Sequence, residues 1–206
     1  MAFRRRAGWA ILGGGLAILA AGGWAAANST FLRGQAQFSG DVSGTVQLSA
    51  GGSGFAGVRG SIGPLACRSF PVGEGYGSLV NYPTKPANFQ ADLRAEVNSE
   101  VYYLNIWVVP YAHPGTFSML RSGQPFGTGP PAAIVSLEDF GQSSDPAPYQ
   151  RRGWTAVNGT VTINPGGRGG RLDVQLGATF TGIAPGTTQP PRQASLRIEG
   201  PWTCVP

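Results

Sequence analysis

The sequence predicts an all-β domain: an antiparallel β-sandwich of jelly-roll type, with about nine or ten strands, preceded by one N-terminal apolar helix. Two observations support this fold class. Apolar and polar residues alternate along several segments, which is the period of half-buried strands. The 33 glycines and 17 prolines fall largely between these segments, where they are typical of turns. No amphipathic helical pattern follows the N-terminal segment, so the chain does not predict βαβ units.

The N-terminal segment resembles a secretory signal. Arg4 to Arg6 are basic, residues 8–27 carry no charge, and the segment ends in the small residues of an A-x-A cleavage site. We therefore predict a signal peptide at 1–27, a linker at 28–34 and the β domain at 35–206. The alternative is an uncleaved anchor, because twenty helical residues rise about 30 Å and can span a bilayer. In either case the domain lies outside the cytoplasm, and membrane contact is expected only through residues 8–27.

The first strands of the domain are predicted within 35–49. Phe38, Val46 and Leu48 share one face there, and Gly40 and Gly44 indicate bulges or close backbone approach. A glycine-rich loop is expected at 50–64 and irregular structure at 71–86.

Two long strands are predicted in the middle of the domain. Residues 89–97 alternate strictly, which favours a strand over the helix that Phe89, Leu93 and Val97 would also fit. The run Val101 to Val109 is apolar on both faces and is expected to be central and covered on both sides. Shorter strands are expected at 116–121 and 132–137, and a surface loop at 140–152.

The clearest alternation lies between residues 157 and 204. Three sets of apolar residues each share a face: Val157, Val161 and Ile163; Leu172, Val174, Leu176, Ala178 and Phe180; and Ala194, Leu196, Ile198, Trp202 and Cys204. These faces are expected to be interior, with Arg197 and Glu199 in solvent. Pro201 cannot donate to a ladder, so we expect it at a bulge or on an edge.

The charge balance does not indicate a nucleic-acid partner. The net charge is +5 over the whole chain, but Arg4, Arg5 and Arg6 lie in the leader. Without them, 12 Lys and Arg face 10 Asp and Glu, which leaves +2. A domain so near neutrality has no basic footprint for a phosphate backbone.

Three local patterns together resemble a known group of proteins. They are Y-A-H-P-G-T-F at 111–117, G-T-V-T-I-N at 159–164 followed by L-D-V-Q-L, and the closing G-P-W-T-C. This arrangement is similar to exported β-sandwich proteins of high-GC bacteria that close with a G-x-W-x-C strand. The resemblance spans most of residues 35–204 and implies an export-dependent β-sandwich. It implies no catalytic residues, because that group has no assigned activity.

Cys67 and Cys204 are the only cysteines, and in an exported chain they are expected to form a disulfide. Such a bridge closes a loop of more than a hundred residues, which stabilises by roughly 5 kcal/mol in the chain-entropy model. Their Cα atoms should then lie roughly 4.4–6.8 Å apart.

No catalytic set, cofactor or metal site is predicted. His113 is the only histidine, whereas catalytic zinc sites typically use two or three, and no G-x-S-x-G elbow is present. Glu138 and Asp139 are adjacent, so on a strand they point to opposite faces. Asp92 and Glu96 could share a face, which we interpret as solvated.

The best candidate ligand surface is an aromatic and basic group at one loop: Tyr149, Arg151, Arg152 and Trp154. Trp202 and Trp107 are instead assigned to buried strands. These observations predict an exported, non-enzymatic domain with a binding, adhesion or envelope-structural role, whose partner is a cell-wall or extracellular glycan or protein. The alternative is a secreted hydrolase of glycans or esters that uses acids such as Glu138 or Asp173, or a serine with His113.

Overall fold

The computed structural model describes residues 34–52, 55–57, 60–74, 86–121, 124, 127, 129–141, 152–180 and 194–205. All regular structure in these residues is β-strand, so the all-β prediction is confirmed. The predicted N-terminal helix and the segment 1–27 lie outside the described residues, as does the linker 28–34 except for Gly34. Among the described residues, no helix has the length and apolarity needed to cross a membrane.

The described residues form more strands than the sequence predicts, because short strands are hard to detect by alternation. The strands β4 and β5 lie in the segment 50–64 that was expected to be a loop. The thirteen strands are β1 (Ala36–Gly40), β2 (Gly44–Val46), β3 (Leu48–Ala50), β4 (Phe55–Gly57), β5 (Gly60–Ile62), β6 (Cys67–Phe70), β7 (Asn88–Val97), β8 (Glu100–Val109), β9 (Gly115–Ser118), β10 (Ala132–Gly141), β11 (Arg152–Ile163), β12 (Gly169–Phe180) and β13 (Ala194–Cys204).

Eleven of these strands belong to one hydrogen-bonded sheet, and β4 and β5 form a separate pair. The path β12-β11-β10-β8-β7-β3-β13 closes on itself, because β13 also pairs with β12. β1 and β2 extend from β13, β6 pairs with β7, and β9 pairs with β11. The two-sheet sandwich is not confirmed, since these pairings join the strands into one closed sheet.

One pairing is parallel, in a sheet predicted to be antiparallel. β13 runs antiparallel to β1 as far as the pair Gln37 and Glu199, and then parallel to β3 from Leu48 and Trp202 onward. Pro201 lies between the residues of β13 that pair with β1 and those that pair with β3, so it has no partner on that edge of the strand. Its missing N–H therefore interrupts no ladder with β1 or β3.

The core lies inside the closed sheet, and the predicted alternation explains it. The in-facing residues of β7, from Phe89 to Val97, are 0–3% exposed. Trp202 of β13 is 1% exposed, as predicted for an interior residue. The other large buried side chains come from most of the long strands: Phe38, Leu48, Leu93, Tyr102, Leu104, Ile106, Leu137, Ile163 and Leu172.

The prediction that Val157 is interior is wrong, because a β-bulge lies at this position. The register of β11 against β12 shifts between Ala156 and Asn158, so Val157 is the extra residue and is 41% exposed. Gly159 follows the bulge at φ +116°, and a Cβ there would lie 2.1 Å from the carbonyl oxygen of Asp173. Only glycine fits this approach of the two backbones.

Two further expectations are corrected. Ala194 is exposed rather than interior, because the register of β12 against β13 shifts between Leu176 and Gly177. β8 is not covered equally on both faces, since Tyr103 and Trp107 on its outer face are only half-buried. Apolar composition alone did not distinguish a half-buried outer face from a fully covered one.

Candidate binding cleft

The closed sheet has a gap on one side, which we call the seam. It lies between β6 and the end of β13. β3 separates β7 from β13 but is only three residues long, and a single pair, Ser49 and Arg94, joins it to β7. Farther along the same edge of β7, β6 takes over, with Cys67 opposite Ala91. Among the described residues no backbone pairing joins β6 to β13.

The disulfide between Cys67 and Cys204 crosses this seam. Its Cα atoms are 5.9 Å apart and its cysteines are separated by 137 residues in sequence. The predicted disulfide is therefore confirmed, and its Cα distance lies within the expected range. A disulfide is typical of proteins that fold in an oxidising compartment.

A cleft of about 480 Å³ opens at the seam. Its walls are the glycines after β3, residues 64–69 before and within β6, the turn between β11 and β12, and the end of β13. Its floor is Phe89, whose ring centroid lies 5.3 Å from that of Tyr111 and 6.0 Å from that of Trp202. Clefts of this volume are typical of small-ligand sites, which occupy roughly 300–1,000 Å³.

Two arginines line the cleft, and local backbone structure places each of them. Arg68 lies on β6, opposite Gln90 of β7. Arg168 lies in the turn between β11 and β12, where its carbonyl oxygen accepts a hydrogen bond from the Cys204 N–H at 3.0 Å. This bond fixes the turn against the end of β13. Both arginines are exposed, and none of the described residues that line the cleft is acidic.

The charges of these two arginines are uncompensated, in contrast to most others in the described part of the chain. Neither Arg68 nor Arg168 has an ion pair or a side-chain hydrogen bond to a described residue. Arg121, which lies outside the cleft, likewise has no ion pair or side-chain hydrogen bond to a described residue. The remaining described arginines all have carboxylate partners: Arg94, Arg152, Arg171 and Arg197. The cleft is therefore the place where unpaired positive charge and apolar surface meet.

The ligand surface expected from the sequence is only partly described. Tyr149 and Arg151 lie outside the described residues. Arg152 begins β11 and is half-exposed. Trp154 is 2% exposed, so its ring offers almost no surface to solvent, and the expected ligand surface stays a prediction. The alternation at the start of β11 turns Trp154 inward. The guanidinium carbon of Arg152 lies over its ring, 5.9 Å from the ring centroid.

Arg152 instead belongs to a polar cluster at the opposite end of the sheet from the cleft. It donates to the buried Asp139 at 2.8 Å and to Glu100 at 3.3 Å. Tyr102 donates to Glu100 at 2.5 Å, and burial together with this bond raises the pKa of Tyr102 well above its ordinary value. General-acid hydrolysis needs one protonated carboxyl, whereas both carboxylates here are partners of one guanidinium. We interpret the cluster as a structural ion-pair network.

Next to this cluster, Asp41 lies in the turn after β1. The neighbouring Ser195 side chain and the indole N–H of Trp154, which donates to Asp41 at 3.0 Å, lower the pKa of Asp41. The contact joins the turn after β1 to β11, which the topology keeps apart.

The other residues considered for chemistry are dispersed. His113 is exposed, and its Nδ1 lies 2.9 Å from the carbonyl oxygen of Pro114. Asp173 pairs with Arg197 on the outer face of the sheet. Glu138 lies on β10, on the face opposite to that of Asp139. Across the described ranges, no three His, Cys, Asp or Glu side chains gather as a metal site would require.

The polar pair expected to share a solvated face is engaged locally. Asp92 accepts hydrogen bonds from the hydroxyl of Tyr103 and, at 2.8 Å, from Asn105. Glu96 pairs with Arg94 at 2.9 Å. These contacts link neighbouring positions on β7 and β8 and leave no carboxylate pair facing a cleft.

Comparison with known proteins finds no matching family model, no matching curated protein and no matching solved structure. The resemblance to exported proteins with a G-x-W-x-C strand accordingly stays a prediction.

Proposed function

We propose that this chain is an exported, non-enzymatic binding domain, and that the cleft at the seam is its binding site. Its partner is a component of the cell envelope or the extracellular medium, a glycan or a protein. The leader predicted at 1–27 supports export, and the disulfide is consistent with an oxidising compartment. Binding of such a component at the cleft is also what a role in adhesion or in envelope structure requires.

The observation that carries the proposal is the pair of arginines without a described partner in a cleft of about 480 Å³ that also presents the exposed apolar side chains of Pro64 and Val205. Small-ligand sites combine apolar walls with a few polar groups that fix orientation. Guanidinium groups form strong charge-assisted hydrogen bonds with oxyanions. Arg68 and Arg168 supply such donors at the same cleft, and neither guanidinium has an ion pair or hydrogen bond to a described residue.

A blocking substitution tests this site. Ser69 is exposed on β6 and lines the cleft, whereas Ser118 is exposed on β9 and does not. Ser69→Trp should fill the cleft and reduce the fraction of protein that cosediments with isolated envelope polysaccharide or captures extracellular protein. Ser118→Trp, the same change on another exposed strand position, should leave that fraction unchanged. Equal binding by both variants would show that the cleft is not the binding site.

The hydrolase alternative is tested in the same samples. Glu100 and Asp139 both pair with Arg152 away from the cleft, and no described residue of the cleft lining is acidic, so no observation on the described residues favours the hydrolase over binding. Release of new reducing ends or of free acid from the polysaccharide during incubation would support the hydrolase instead. The proposal expects binding with no product.

A further inference from the structure

We propose that the cleft at the seam recognises an amphiphilic organic anion: one carboxylate or phosphate group attached to an apolar body. This inference rests on the proposed function and names the chemistry of its ligand. It follows from three properties of the cleft, namely its charge, its floor and its rim.

The charge selects an anion. Arg68 and Arg168 line one cleft of about 480 Å³, so a single ligand can contact both. The part of the lining that the structure describes contains no acidic residue that could neutralise them. Two guanidinium groups suit the several acceptor positions of a carboxylate or phosphate, and a cationic ligand would meet repulsion from both.

The floor and the rim select an apolar body. Phe89 and Leu65 lie at the base of the cleft but are only 1% and 7% exposed, so the apolar surface open to a ligand there comes from the exposed Pro64 and the half-buried Cys67 and Cys204. Val205 lies at the rim and is 59% exposed, one of the few large apolar side chains that the described fold leaves in solvent. Covering these groups is favourable in proportion to the apolar area removed from water. A fully hydrated anion would leave that surface uncovered.

Glycines keep the cleft open. Gly52 and Gly166 have no heavy atom within 4 Å of the position that a Cβ would take, so side chains there would project into free space around the cleft. A Cβ on Gly167 would lie 3.5 Å from the ring of Phe89, in ordinary van der Waals contact with the base of the cleft. A narrow aliphatic chain or one aromatic ring fits such a space.

Isothermal titration with soluble probes tests the assignment in the oxidised protein. The probes are decanoate and decyl phosphate, each with both features; acetate and inorganic phosphate, with the head alone; decyl maltoside, with the tail alone; and decyltrimethylammonium, with the opposite charge. All are used below their micelle concentrations. Decanoate, decyl phosphate or both should bind, and the other four should bind at least tenfold more weakly. Comparing the first two identifies which oxyanion the cleft prefers.

Charge-removing variants locate the site. Arg68→Gln and Arg168→Gln should each weaken the binding of the better probe about ten- to a hundredfold, the range for a hydrogen bond to a charged group. Arg121→Gln is the matched control, because Arg121 is exposed and unpaired among the described residues but lies outside the cleft. It should leave the affinity unchanged. Thermal midpoints of the three variants should agree, since none of these side chains has a described partner.

Four results would overturn the inference. Decyl maltoside binding as tightly as decanoate would show an apolar site without charge selection. Unchanged affinity in both cleft variants would place the anion elsewhere. If Ser69→Trp abolishes envelope binding while no probe binds, the proposed function stands and the ligand class is wrong. If Ser69→Trp has no effect and no probe binds, both proposals fail.

Discussion

Removal of the disulfide should destabilise the domain by a calculable amount. The double variant Cys67→Ala, Cys204→Ala releases a constraint between residues separated by 137 positions. The chain-entropy model assigns to a loop of that length about 5 kcal/mol at 25 °C. No backbone pairing joins β6 to β13 among the described residues, and beside the bridge β13 is connected to β7 through β3, which a single residue pair joins to β7. We therefore expect the free energy of unfolding of the variant to fall by most of this amount.

Calorimetry of the oxidised protein and the variant measures the effect. In a domain of this size, 1 kcal/mol corresponds to about 2–4 °C in the melting temperature, so the fall should be about 10–20 °C. The matched control is Ser69→Ala with Thr203→Ala, at exposed positions on the same two strands, and it should change stability by less than about 0.5 kcal/mol each. If the melting temperature of the cysteine variant fell by less than about 3 °C, the argument that the bridge restricts the conformations of the unfolded chain would be refuted.

Three further predictions concern the core, the bulge and the polar end of the sheet. Trp202→Ala should cost about 3–5 kcal/mol by urea denaturation, because the ring is 1% exposed; a parent-like midpoint would refute its core role. Gly159→Ala should cost more than about 2 kcal/mol, since the residue lies at φ +116° against backbone, whereas Gly63→Ala, with open space around it, should be nearly neutral. Trp154→Phe should raise the pKa of Asp41 toward its ordinary value in an NMR titration. The stability that this lowered pKa contributes is present above about pH 4 and is lost as the pH falls through the folded-state value.

Local periodicity was sufficient to predict most of the long strands. Alternation placed Phe89, Leu93, Leu196 and Ile198 inside, and all four are buried. The disulfide was predictable too, because two cysteines in a chain with a predicted secretory leader are expected to pair. These features depend on neighbouring residues in sequence or on composition, which a single chain displays directly.

Features that depend on contacts between distant segments could not be predicted. The bulge that exposes Val157 arises from pairing with β12, and the alternation on either side of it looks continuous in sequence. Arg68 and Arg168 are a hundred positions apart, each beside a turn or a cysteine, and only the seam brings both to the same cleft. The sequence contains one weak indication of this site, namely Arg168, an isolated charge between two pairs of glycines that separate two alternating segments.

The position of β13 has a consequence for how the domain folds. This strand pairs with β1, β3 and β12, yet it follows all of them in sequence. Until β13 has paired, the edges of β1 and β3 that face it have no partner strand, and the sheet cannot close. Folding that waits for such non-local pairing is slow, and an open strand edge invites pairing with other chains. We therefore expect the refolding yield to fall steeply with protein concentration, and a synthetic β13 peptide added during refolding to compete for the edges of β1 and β12.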